Sequence, residues 1–117
     1  MKINKSKQEI KALAQFIASV LEDKKARDIE IIDIGERSSL ADYFVICSAG
    51  SNTQVKALIG EVEEQVEEHH QLKPNNSEGF QSRRWVLLDY GDIVVHVFLE
   101  EERKYYDLDR LWKLEEA

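Results

Sequence analysis

The sequence predicts an α/β (α+β) fold, a single domain over residues 1–117 in which helices pack on one mixed β-sheet. Three helical patterns alternate with short apolar runs of strand length, which gives the order α-β-β-α-β-β-α. A chain of 117 residues that is 43% hydrophobic and 33% charged has the size and composition of one globular unit.

A capping box predicts where the first helix begins. Ser6 has the N-cap residue type, and Glu9 follows three residues later. Apolar residues then recur at helical spacing, so we expect a helix over about residues 6–24. Its buried stripe is predicted to contain Ile10, Leu13, Ala14, Ile17, Val20 and Leu21.

Two strands and a second helix follow. The strands are predicted at residues 29–34 and at about 42–48. Ser51 with Gln54 repeats the capping-box pattern and opens the helix. Gly60 interrupts this helix, and close packing on the sheet is one interpretation of it. The predicted buried stripe contains Val55, Leu58, Ile59, Val62 and Val66.

The strongest β signal lies in residues 84–99 and predicts a hairpin. Tyr90-Gly91 would form a two-residue turn in which Gly supplies the positive φ. This register pairs Asp89 with Asp92, Leu87 with Val94, and Trp85 with His96. Residues 73–79 are predicted to be a loop, and residues 100–116 a C-terminal helix.

The hairpin register separates two faces. The aliphatic face belongs on the core and contains Val86, Leu88, Ile93, Val95 and Val97. The other face contains Arg83, Trp85, Leu87, Val94, His96 and Phe98. Its mixture of aromatic, basic and aliphatic residues is typical of a partner-binding surface. Cover by the C-terminal helix, through Tyr105 and Trp112, is an equally supported alternative.

Charge, cysteine content and hydropathy argue against a nucleic-acid-binding protein, a reactive thiol and a membrane-spanning protein. With 16 basic and 23 acidic residues the net charge is −7, which argues against direct nucleic-acid binding and suits a basic protein partner. The single cysteine, Cys47, lies in an apolar strand and is predicted to be an inert buried thiol. No apolar run is long enough to span a bilayer, so we expect a cytoplasmic protein without membrane contact.

No catalytic set assembles from the sequence. Gly50-Ser51 could present amides to a phosphate, but the pattern is not a complete nucleotide-binding motif. Asp89 and Asp92 lie on opposite sides of a turn, and residues 107 and 109 would diverge on a helix. His69-His70 at a helix end is interpreted as solvated and not as a metal site.

Three motifs carry a family resemblance. The first is residues 39–46 (SLADYFVI) followed by Gly50-Ser51-x-x-Gln54-Val55. The second is residues 85–98 (WVLLDYGDIVVHVF), and the third is R-x-YY-x-L-x-x-LW over residues 103–112. Together they resemble the ribosomal silencing factor family, also called the Iojap family, over most of the chain.

The resemblance implies a binding protein and not an enzyme, with no cofactor and no metal. Members of the family bind a large-subunit ribosomal protein (number fourteen) at the face that meets the small subunit. This blocks subunit joining and represses translation when nutrients are scarce. The implied fold is similar to the nucleotidyltransferase fold without its catalytic carboxylates.

Family contacts fall largely on the tryptophan hairpin. The resemblance therefore implies partner contacts by Trp85, Leu87, Leu88 and Tyr90, with Asp89 and His96 as secondary candidates. Leu88 conflicts with the predicted register, which places it on the core face. A degenerate nucleotide-binding domain that uses Gly50-Ser51 is the alternative function. A homodimer that buries the hairpin face containing Trp85 and Phe98 is the third hypothesis.

Overall fold

The computed structural model of the protein describes residues 6–35, 41–79 and 84–103. Its first element, helix α1 (Lys7–Asp23), begins at the predicted capping box. The Ser6 hydroxyl accepts the Glu9 backbone N–H at 3.1 Å, and the Glu9 carboxylate accepts the Ser6 N–H at 3.1 Å. Two amides at the helix start are thereby satisfied. The buried residues are the six predicted ones, Ile10, Leu13, Ala14, Ile17, Val20 and Leu21.

Five strands form one mixed sheet. They are β1 (Arg27–Asp33), β2 (Tyr43–Ala49), β3 (Asn76–Glu78), β4 (Trp85–Asp89) and β5 (Ile93–Leu99). Their order across the sheet is β1-β2-β5-β4-β3. Strands β2 and β5 are parallel, and the other neighbouring pairs are antiparallel. The predicted mixed sheet is confirmed.

Two further helices complete the described fold. Helix α2 (Asn52–His70) follows β2, and the short helix α3 (Glu100–Arg103) follows β5. The rest of the predicted C-terminal helix, including Tyr105 and Trp112, lies outside the described residues. Among the helices that the structure describes, none is long and apolar enough to cross a bilayer.

The third strand of the structure was not predicted. Residues 76–78 lie in the stretch predicted to be a loop, yet they pair antiparallel with β4 at the edge of the sheet. All three side chains are exposed, so no apolar alternation marks this strand in the sequence. The element order is therefore α-β-β-α-β-β-β-α.

The hairpin turn lies one residue later than predicted. Tyr90 donates its N–H to the Ile93 carbonyl at 2.9 Å, so Gly91 and Asp92 form the turn. Gly91 has φ +89°, and its N–H donates to the Asp89 carboxylate at 2.8 Å. The observed pairs are Asp89 with Val94, Leu87 with His96, and Trp85 with Phe98. Each residue of β4 moves by two along β5, so the predicted faces are preserved.

The two faces of the sheet bury separate clusters. The first cluster joins α1 and α2 to the aliphatic face, which includes Val45, Val86, Leu88, Val95 and Val97. Both long helices therefore pack on one face of the sheet. The second cluster contains Ile32, Ile34, Ala41, Phe44, Ile46, Val94 and Phe98, with Trp85 and Leu87 packed against it.

Helix α2 departs from two expectations. Ser51 caps the Gln54 N–H at 3.1 Å as predicted, but the Gln54 side chain accepts the Gly50 N–H at 2.7 Å and not that of Ser51. The reciprocal half of the capping box is therefore displaced by one residue. Gly60 is exposed, and a Cβ there would meet nothing within 4 Å, so close packing on the sheet does not explain this glycine.

Candidate partner-binding surface

The second face of the sheet carries most of the predicted contact residues. We call Phe44, Trp85, Leu87, Val94, His96 and Phe98 the aromatic face. No residue of the described helices belongs to its core cluster. Strand alternation in β4 and β5 brings these side chains to one side, as the sequence predicts. Arg83, which the hairpin register predicts on the same face, lies outside the described residues.

Trp85 is the half-exposed centre of the aromatic face. Its indole stacks on the Phe98 ring, with centroids 4.8 Å apart and planes inclined by 24°. The indole Nε1–H donates to His96 Nδ1 at 3.1 Å. The adjacent Arg84 guanidinium contacts the Glu102 carboxylate at 2.8 Å. Trp85 therefore combines a fixed ring with partial exposure, which is typical of a binding hot spot.

His96 lies beneath Trp85 and is only 3% exposed. Its ring meets Phe44 edge-on with centroids 4.5 Å apart. Burial lowers the pKa of His96 to about 4, so the imidazole is neutral at physiological pH. His96 is therefore too buried to contact a partner directly, although the resemblance implies a secondary contact by this residue.

Leu87 and two acidic residues form the rim of the aromatic face. Leu87 is half-buried and pairs with His96 on one side and with Glu78 of β3 on the other. Glu78 is exposed, whereas Asp89 is half-buried and uses one carboxylate oxygen to hold Gly91. The sequence did not predict the position of Glu78 beside Leu87, because residues 76–78 are all polar and show no strand pattern.

Leu88 and Tyr90 lie on the opposite face. Leu88 is fully buried in the cluster formed with α1 and α2, so the implied contact through Leu88 is not available on the surface of this fold. Tyr90 is 9% exposed in the same cluster. Burial raises the pKa of Tyr90, and the nearby Glu63 and Glu67 carboxylates raise it further. The phenol is therefore protonated.

The Gly50-Ser51 turn is poorly suited to a phosphate. The Gly50 amide already donates to Gln54, and Ser51 already caps α2. Glu100 and Glu101 line the adjoining cleft, where their charge would repel an anion. These contacts weaken the nucleotide-binding alternative.

Cys47 is packed in the core, and His69 and His70 pack against an aromatic ring. Cys47 is fully buried, and burial raises the pKa of its thiol to about 12, although Arg103 opposes the shift. The exposed His69 and His70 rings meet Phe16 edge-on, at 5.4 and 4.8 Å between centroids. Within residues 6–35, 41–79 and 84–103, no three His, Cys, Asp or Glu residues converge as a metal site. Residues 107 and 109 lie outside that range.

Known proteins resemble this chain over nearly all of the helices and strands described above. The sequence model of the family described as "Ribosomal silencing factor during starvation" matches residues 7–117. The Bacillus subtilis (strain 168) protein named Ribosomal silencing factor RsfS is 43% identical over 102 residues, covering 87% of this chain and 86% of that protein. The chloroplastic protein Iojap of Zea mays is 31% identical over 110 residues, covering 89% of this chain and 45% of its own length.

A solved structure shares the fold. The crystal structure of a Chromobacterium violaceum protein superposes with a TM-score of 0.81 and 40% sequence identity, covering 93% of this chain and 88% of that one. Identity at this level over nearly the whole chain shows common ancestry as well as a common fold. The chain belongs to the ribosomal silencing factor family.

Proposed function

We propose that this protein represses translation by binding a large-subunit ribosomal protein (number fourteen) at the face that meets the small subunit. The bound protein would prevent the two subunits from joining by steric exclusion. The observation that carries this proposal is the family match over residues 7–117. Family resemblance supplies the identity of the partner, and the aromatic face supplies a surface with suitable chemistry.

Trp85 is the proposed principal contact. A large aromatic side chain with a fixed ring loses little conformational entropy when a partner covers it. Its stacking on Phe98 and its hydrogen bond to His96 hold the indole in place before binding. Truncation of such a residue in an interface costs about 2 kcal/mol or more. Leu87 extends the same apolar surface along β4.

Charge favours a basic partner. The chain carries a net charge of −7, and Glu78 and Asp89 lie next to Leu87 at the rim of the aromatic face. Complementary charge raises the rate of encounter between proteins and disfavours acidic competitors. A basic ribosomal protein has the complementary charge.

Steric exclusion requires no chemistry from this chain. We therefore propose a role without catalysis, cofactor or resident metal. A homodimer that covers the aromatic face would compete with this function, since the same surface cannot contact two partners. Light scattering at several protein concentrations distinguishes the two states.

Subunit joining, followed by light scattering, tests the proposal. Purified bacterial large subunits are incubated with wild-type protein, Trp85→Ala or Phe16→Ala before small subunits are added. Phe16 is a suitable control because it is another half-buried aromatic residue, located on α1 at the helical side of the molecule. Circular dichroism first confirms that each variant is folded.

We expect wild type and Phe16→Ala to suppress joining, and Trp85→Ala to lose most of that effect. Equal suppression by all three proteins would exclude the aromatic face as the binding surface. If wild type neither sediments with large subunits nor slows joining, the silencing function itself is wrong.

A further inference from the structure

The indole of Trp85 constrains the chemistry of His96. An indole Nε1–H can only donate, so the ring nitrogen that receives it must be an acceptor. That nitrogen is His96 Nδ1, at 3.1 Å. The neutral imidazole therefore carries its proton on Nε2. This hydrogen bond selects one of the two tautomers of His96.

Two phenylalanine rings pack against His96. Its ring meets Phe44 at 4.5 Å between centroids and lies nearly parallel to Phe98 at 6.2 Å. Phe98 also stacks on Trp85. The acceptor atom is therefore held at a fixed place under the indole.

The second ring nitrogen of His96 differs from Nδ1 in its surroundings. Among the described residues, His96 Nε2 is buried and has no hydrogen-bond partner. A buried donor without an acceptor is unfavourable, and an apolar side chain at this position would avoid that penalty. The atom of His96 that does find a partner is the one that binds Trp85.

We infer that His96 is a positioning residue for Trp85, which sets the orientation of the indole from beneath without touching the partner. The inference rests on the proposed function, because Trp85 is the contact that it prepares. An indole without this hydrogen bond would sample more orientations in the free protein, and binding would then have to order it. Loss of the acceptor is therefore expected to weaken ribosome binding about tenfold.

Two substitutions separate the acceptor from the bulk of the side chain. His96→Leu keeps a similar volume but removes the acceptor. His96→Asn places an amide oxygen near the position of Nδ1 and retains it. Val97→Ala is the matched control, because Val97 is the next residue of β5 but is fully buried on the opposite face.

Nuclear magnetic resonance of the full-length, nitrogen-labelled protein supplies the first measurement. In wild type we expect His96 to be protonated on Nε2 only, and the Trp85 indole proton to exchange slowly with solvent. Exchange should accelerate in His96→Leu and remain slow in His96→Asn and Val97→Ala. Protonation of His96 on Nδ1 in the neutral protein would overturn the inference even if no variant folds.

Sedimentation with purified bacterial large ribosomal subunits supplies the second measurement. We expect about tenfold weaker binding by His96→Leu, near wild-type binding by His96→Asn, and unchanged binding by folded Val97→Ala. Equal weakening by the Asn and Leu variants would show that the acceptor is not responsible. If wild type fails to bind, the proposed function fails, while the indole exchange rates still test the positioning of Trp85.

Discussion

Leu87 and Leu88 are neighbours in β4, yet they have different surroundings. Leu88 is fully buried between the sheet and the two long helices, whereas Leu87 is half-buried at the rim of the aromatic face. Successive side chains of a strand point to opposite faces, so a partner that covers Trp85 can reach Leu87 without reaching Leu88. Substitution of Leu88 would therefore change stability before it changed recognition.

Burial of His96 makes stability depend on pH. Its pKa is lowered to about 4 in the folded protein, against 6.5 for an unperturbed histidine. Between these values the unfolded chain binds a proton that the folded protein does not, so the free energy of unfolding decreases as pH falls. We expect His96 to account for a loss of about 2 kcal/mol between pH 7.5 and pH 5. Urea denaturation at several pH values measures this change in the free energy of unfolding.

His96→Asn isolates this contribution because it removes the titrating group while every carboxylate remains. The stability of the variant should fall less steeply than that of wild type over the same pH interval. Parallel curves for the two proteins would show that His96 does not take up its proton on unfolding.

At the scale of elements, the hairpin shows what the sequence predicts and what it leaves open. Alternation in residues 84–99 predicted both strands and the correct face for each described side chain. It placed the turn one residue too early, because Tyr90-Gly91 and Gly91-Asp92 both place glycine where positive φ is needed. The Asp89 carboxylate and the Tyr90–Ile93 hydrogen bond select the second arrangement.

The edge strand β3 shows a different limit. Its residues are polar and exposed, and it is held by pairing with β4 and not by burial of its own side chains. Such a strand depends on a neighbour distant in sequence, so local periodicity does not reveal it. Glu78 and its place beside Leu87 were missed for the same reason.

Two glycines are expected to respond oppositely to alanine. At Gly79, φ is +91° and a Cβ would overlap the Trp85 carbonyl oxygen, so the backbone segments at residues 79 and 85 would have to move apart. We expect Gly79→Ala to destabilise the protein by more than about 2 kcal/mol. At Gly60 the added methyl group meets open space on a helix, and we expect Gly60→Ala to stabilise by up to about 1 kcal/mol.

Chemical denaturation midpoints measure both changes, and each variant serves as a control for the other. An unchanged midpoint for Gly79→Ala would contradict the close approach of residue 79 to Trp85. A lower midpoint for Gly60→Ala would mean that the helix requires glycine for a reason absent from its surroundings.

At the scale of the whole molecule, the sheet separates the larger core cluster from the proposed contact surface. Helices α1 and α2 cover one face and bury the larger cluster, while the proposed contact residues Trp85 and Leu87 lie on the other. The hairpin register predicted which described side chains lie on each face, and it left cover of the second face by the C-terminal helix open. The sequence did not predict that β2 and β5 are the parallel neighbours, because strand order depends on long-range pairing. The sequence paired His96 with Trp85, but it did not predict the hydrogen bond from the indole Nε1–H to His96 Nδ1, because that bond depends on the orientation of both side chains.

The net charge of −7 belongs to the whole molecule and leads to the last prediction. Attraction between separated charges is screened by salt, with a Debye length of about 10 Å at 0.1 M and about 3 Å at 1 M. We expect the rate of association with the isolated basic ribosomal protein (number fourteen) to fall about tenfold between 0.05 and 0.5 M potassium chloride. Stopped-flow fluorescence of the labelled ribosomal protein measures this rate.

Dissociation should respond differently, because it depends on short-range contacts that salt screens little. Trp85→Ala is therefore expected to dissociate faster than wild type while its association rate keeps the same dependence on salt. An association rate that is independent of salt would exclude long-range steering by the acidic surface. A changed salt dependence in Trp85→Ala would mean that this neutral side chain acts during encounter and not only in the bound complex.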